Sequence, residues 1–103
     1  MANKIRFHPG MIDDLTQAIG WYDTKSHRLG DRFRVAVKCS LEEIERSPEA
    51  NSRVFDDEDI RYRQIRSFPY LVLFRLHPGI IHIGGLVHSA SDPKKWHSRM
   101  SDI

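Results

Sequence analysis

The stretch Phe68–Leu76, FPYLVLFRL, constrains this chain more than any other. It is the longest apolar run, yet far short of the roughly 20 residues that a membrane-spanning helix needs. Tyr70, Val72, Phe74 and Leu76 alternate with Pro69, Leu71, Leu73 and Arg75, and both sets are apolar until Arg75. A strand written this way is buried on both faces, which places it in the middle of a sheet. Pro69 lacks a backbone donor and belongs at the strand's beginning.

The chain has 103 residues, which predicts one domain, 1–103, with a modest core that needs no staples. Its 40% hydrophobic and 29% charged content is that of a soluble globular protein and excludes a low-complexity or membrane-embedded chain. The segment MANKIRF lacks the apolar core of a signal peptide. Cys39 is the single cysteine, so no disulfide framework is expected and a cytoplasmic location follows. No motif activates Cys39, which reads as a small buried residue on a helix. The formal net charge is +2, so any argument for an anionic partner has to come from local charge.

The elements follow from periodicity. Lys4–Phe7 alternates and predicts a short strand with Ile5 and Phe7 on one face. His8-Pro9-Gly10 opens a helix, with proline in the first turn. Met11, Ile12, Leu15, Ala18, Ile19 and Tyr22 form its core stripe, Asp13 and Asp14 fall in its first turn, and it ends near Lys25. Residues 26–30 read as a turn. A second helix runs over 31–46 with Phe33, Val37, Leu41 and Ile44 inward, stopped by Pro48. So short a link predicts an antiparallel helical hairpin. Residues 52–55 read as a short edge strand, and Asp56, Asp57, Glu58 and Asp59 as an acidic tip, either solvated or facing basic groups. Residues 60–66 and 80–88 are strands, joined through the central one and the turn His77-Pro78-Gly79. Gly84 and Gly85 point to a bulge or a close backbone approach. Asp92-Pro93 caps a last short helix on which Trp96 and Met100 share a face.

The order predicts a two-layer α+β domain: an N-terminal strand, a helical hairpin packed on an antiparallel sheet of three to five strands, and a short C-terminal helix. The hairpin covers one face of the central strand. A single short helix is left for the other, so part of an apolar face is expected to stay bare and to need a partner.

Arg61 and Arg63 alternate on one strand face, with Arg66 on the other, Arg53 upstream and Arg75 on the neighbouring strand. His82 and His88 are an even number apart and are expected on one face. Such a face can hold a phosphodiester and move a proton; alternatively these are surface residues balanced by the acidic tip. The histidines are too far apart to chelate a metal, and no cysteine or carboxylate stands at ligand spacing. Lys94 and Lys95 sit in the first turn of the last helix, where the dipole disfavours cations; an anionic partner explains them, as does plain solvation. There is no phosphate loop and no serine nucleophile motif, and no cofactor is expected.

Trp21-Tyr22, LGDRF at 29–33, Ser47-Pro48, IRYRQIRSFPYLVLF at 60–74 and HSASDPKKWHSR at 88–99 fall in one order. Together they resemble the RelE/ParE superfamily of bacterial toxins, often labelled plasmid stabilization proteins. The resemblance implies a toxin of a type II toxin–antitoxin pair, with a cognate antitoxin whose wrapping segment folds on binding. The expected antitoxin contacts are Leu71, Leu73, Arg75 and Trp96. A homodimer and a heterotetramer with antitoxin both suit the family. Its RelE-like branch cuts messenger RNA in the ribosome; its ParE-like branch poisons DNA gyrase.

Arg61 and His88 fall where the nucleases place an arginine and a histidine, so Arg61, Arg63 and His88 are the catalytic candidates of an endoribonuclease reading. Ser89 follows His88 where those enzymes often have tyrosine, no tyrosine follows Tyr70, and Ser91 replaces the arginine of an H-x-x-R-D-P run. The FPY strand and the DPKKW ending look ParE-like. Three functions remain in play: a gyrase-directed toxin, a ribosome-dependent endoribonuclease, and a non-toxic module that only binds its antitoxin.

Overall fold

The computed structural model describes residues 4–54 and 59–101. The elements run β1 (Lys4–Phe7), α1 (Pro9–Lys25), α2 (His27–Arg46), a 3-10 turn at Pro48–Ala50, β2 (Ile60–Gln64), β3 (Tyr70–His77), β4 (Ile80–His88) and α3 (Pro93–Met100). The sheet order is β1-β4-β3-β2. The sheet is mixed: β2, β3 and β4 are antiparallel, while β1 lies parallel to β4. The double-apolar run is central, with Leu71, Val72, Leu73 and Phe74 at most 8% exposed.

Helix α1 starts earlier than its carboxylates suggest. His8 caps it, its Nδ1 accepting the Gly10 N–H at 2.9 Å. Asp13 and Asp14 therefore fall in the second turn, and no acid stands in the first. Met11 and Ala18 point into the core, but Ile12 is 61% exposed, because it sits about 100° around the helix from Met11. Phe7 is half exposed on its edge strand.

Ser26 alone links the two helices. It ends α1 and caps α2, its Oγ accepting the Leu29 N–H at 3.0 Å. The expected turn over 26–30 is thus the first turn of α2. Gly30 looked like a breaker, but it is a buried contact point: a Cβ there would run into the Asp23 carboxylate of α1. Phe33, Val37 and Ile44 face inward as expected. Cys39 is exposed rather than buried, being off that stripe.

The expected edge strand shrinks to one bridge, Arg53 to Arg61. Phe55 and the acidic residues Asp56, Asp57 and Glu58 lie outside the described residues. Strand β2 ends at Gln64, two residues before the expected boundary.

The sheet separates two clusters. On the hairpin face, Met11, Phe33, Val37 and Ile44 meet Val72, Phe74, Ile81, Ile83 and Leu86. Four rings close its end: Phe33 lies 4.8 Å from Tyr22 and 4.9 Å from Phe68, with Tyr70 at 5.6 Å. On the opposite face, Ile60, Leu71, Leu73, Trp96 and Met100 form a second cluster.

Candidate functional site

The β2 register puts Arg61 opposite Phe74 and Arg63 opposite Val72, so both arginines lie on the hairpin face. Arg61 is held there. Its Nη1 donates to the carbonyls of Asn51 and Glu49 at 2.8 and 3.2 Å, and its side chain is only 13% exposed. Asp59 lies 3.6 Å from its Nε. Arg63 donates to Asn51 Oδ1 at 3.2 Å and stands 3.8 Å from Glu43 of α2. Asn51 is the organiser that the sequence reading missed. It is 8% exposed, and its amide also donates to the Ser47 and Pro48 carbonyls. The local cue was an asparagine just after Ser-Pro, where side-chain-to-backbone bonding is favoured.

The histidines do not share a face. Leu73 pairs with Gly85 and Phe74 with Ile83, so Gly84 is an extra residue in β4. A bulge of one residue reverses the alternation beyond it. Ile81 and Ile83 face the hairpin before it and Leu86 after it. His82 is consequently on the α3 face, opposite Arg75, while His88 pairs with Tyr70 on the hairpin face. His88 is exposed. Its Nδ1 accepts the Ala90 N–H at 3.1 Å and its ring stands 5.4 Å from Tyr70. Two strand spacings and the offset along the strands separate its Cα from that of Arg63 by about 12 Å and of Arg61 by about 16 Å. Both guanidiniums point to the 47–51 turn instead.

The bare apolar face is also absent among the described residues. Leu71, Leu73 and Trp96 are 8%, 0% and 8% exposed, buried together beneath α3. Arg75 is half-buried at the edge of that cluster. Trp96 fixes the helix by donating from Nε1 to Ser91 Oγ at 2.7 Å. Arg99 holds the far end, wrapping around the β4 edge that β1 leaves open. Its Nη1 donates to Asp14 Oδ2 at 2.7 Å and to the Gly84 carbonyl at 3.3 Å. Asp14 Oδ2 also accepts the Leu86 N–H at 3.1 Å. One carboxylate thus ties α1, the bulge and α3 together.

The open concavity lies elsewhere. A groove of about 1330 Å³ runs between the outer side of α2 and the β2–β3 turn. Arg28, Arg32, Arg63 and Arg66 rim it, and Val35 and Phe68 give it an apolar floor. Its two acids, Asp31 and Glu43, already face Arg34 at 2.9 Å and Arg46 at 3.0 Å. Among the described residues no group of three His, Cys, Asp or Glu could hold a metal, and no helix is long and apolar enough to cross a membrane.

No family model matches the chain. Toxin ParE2 of Mycobacterium tuberculosis, from two strains, is 26% identical over 102 residues, covering 98% of this chain and 95% of the relative. A double arginine-to-alanine mutant of E. coli toxin RelE in the free state superposes with a TM-score of 0.71 at 18% identity, covering 100% of this chain and 99% of that one. The toxin–antitoxin complex RelBE2 from Mycobacterium tuberculosis gives 0.58 at 17% identity over 85% and 99% of the chains. The chromosomal ParDE system from P. aeruginosa gives 0.57 at 18% identity over 84% and 96%. The architecture is therefore the RelE-like toxin fold. Over nearly its whole length the chain is also similar to Toxin ParE2, a relative with the same end-to-end extent.

Proposed function

We propose that this chain is the toxin of a type II toxin–antitoxin pair and acts in the ParE-like manner, by binding DNA gyrase without bond chemistry of its own. Relatives from both branches resemble it, so the choice rests on the site. The observation that carries it is the dispersal of the nuclease candidates. Arg61 and Arg63 are spent on the Asn51 turn and Glu43, and His88 is capped on its own loop two strands away. General acid–base cleavage needs its groups within hydrogen-bond reach of one reacting phosphate.

The antitoxin part of the proposal is supported by the groove. Its arginine rim and apolar floor match an acidic amphipathic segment. Leu71, Leu73, Arg75 and Trp96 join that contact only where α3 is raised from the sheet.

The test is induction of the chain alone in bacteria. Filamentation and a DNA-damage response are expected, unchanged by His88→Ala. Rapid loss of protein synthesis with cut transcripts, abolished by His88→Ala, would instead establish the endoribonuclease. Normal growth would leave a module that only binds its antitoxin.

A further inference from the structure

Cys39 has no part in the toxin reading, yet it opens into the groove. Arg28, Arg32, Val35 and Cys39 recur along α2 at steps of four, three and four, so one face of the helix presents all of them there. Cys39 is exposed, and Val35, one turn before it, is 61% exposed. We infer that Cys39 is a thiolation site: it takes up a small anionic thiol, of the class of a cysteine-containing peptide with free carboxylates, as a mixed disulfide seated in the groove.

Two features of the groove point to that ligand. The first is charge. Among the described residues no ion pair engages Arg28, Arg32 or Arg66, while the two acids of the groove are taken: Asp31 by Arg34 at 2.9 Å, and Glu43 by Arg46 at 3.0 Å and Arg63 at 3.8 Å. Glu42, the other acid within one turn of Cys39, is not part of the groove lining. A carboxylate entering the groove therefore meets guanidinium forks with open donors. The second is Ser40. It lines the groove next to Cys39, it is 5% exposed, and among the described residues its hydroxyl makes no hydrogen bond. A buried hydroxyl without a partner costs stability, and an amide of a bound peptide supplies one at that point. The groove's volume of about 1330 Å³ exceeds the roughly 300–1,000 Å³ of small-ligand sites, room enough for a tripeptide-sized adduct. The step is thiol–disulfide exchange with a small disulfide as oxidant. The Cys39 thiolate attacks one of its sulfurs, a bond forms between that sulfur and Cys39 Sγ, and the disulfide's own S–S bond breaks. The other sulfur leaves as a reduced thiolate and takes up the proton lost from Cys39. An adduct here fills the place proposed for the antitoxin's acidic segment, so thiolation keeps the two apart. That consequence rests on the proposed function; the modification itself does not.

The full chain is mixed at one pH with oxidised glutathione, which is anionic, or with cystamine, which is cationic, and adduct formation is followed by intact-mass spectrometry. The ratio of the glutathione rate to the cystamine rate is compared with the same ratio for N-acetylcysteine amide, which cancels the intrinsic reactivity of the two reagents. The chain's ratio is expected to stand about tenfold or more above that of the free thiol, through electrostatic steering. It should fall toward the free-thiol value in about 0.5 M salt and in Arg28→Gln/Arg32→Gln. Both arginines are exposed near the start of α2, so the double variant keeps the fold, which its unfolding curve checks; the salt comparison needs no variant. No adduct with either reagent, a ratio no higher than that of the free thiol, or a raised ratio untouched by salt or by the double replacement would overturn the inference. The antitoxin is absent from the test, so failure here leaves the antitoxin reading standing.

Discussion

The two faces of the sheet are closed by very different means. The hairpin face lies under helices of 17 and 20 residues and ends in a cluster of four rings. The other lies under a helix of 8 residues. Length would leave that second face open, yet Leu73 and Met100 are fully buried there. What closes it is side-chain size and anchoring. Tryptophan covers some 150–250 Å², and Trp96 and Met100 land on the two leucines while Arg99 pins the far end to Asp14. Coverage depends on what a helix carries and where it is tied, more than on how many residues it has.

The largest effect that tests this contrast is expected on the hairpin face. Phe33→Ala should cost about 4 kcal/mol and lower the midpoint of urea unfolding of the whole chain. Trp96→Ala should cost about 3 kcal/mol, with a different signature. Hydrogen exchange should rise in α3 and near Leu71 and Leu73 while the hairpin core keeps its protection. If both substitutions open the molecule everywhere at once, the two faces are one cooperative unit and the contrast fails.

A smaller effect is expected at the tie. Asp14→Asn and Arg99→Gln, alone and together, should show a coupling of about 1 kcal/mol, discounted because the side chains are 20% and 29% exposed. Additive effects would mean that α3 is held by its apolar contacts alone.

The smallest is a pH effect on the α3 face. His82 is lowered in the folded chain from 6.5, so on acidification the unfolded chain takes up the proton first. Its contribution to stability is complete above pH 6.5 and declines as pH falls below that value. His82→Gln should flatten this part of the melting-temperature profile; an unchanged profile would show that the folded and unfolded chains take up the His82 proton alike.

Much of the fold was legible before the structure. β4 was read to the residue, because the His-Pro-Gly turn and the glycine pair mark it, and the Asp92 cap holds, its Oδ1 accepting the Lys94 N–H at 3.0 Å. The misreadings have local causes. Gly30 mimics a helix stop because Asp23 needs the space, and Ser26 does the work expected of a whole turn. The site was less legible. The bulge was anticipated from Gly84 and Gly85, but its effect on the parity of His82 and His88 was not carried forward. Arg61 looked free because alternation shows which face a side chain takes and is silent about the Asn51 carbonyl that accepts from its guanidinium.

The bulge at Gly84 makes β4 behave like a message with an inserted letter. Upstream and downstream of it, the same odd-even grammar has opposite meanings. Deleting that one glycine would send Leu86 toward the side where Trp96 lies and swing His88 across with it. A glycine with no side chain therefore decides which neighbours Leu86 and His88 can ever meet.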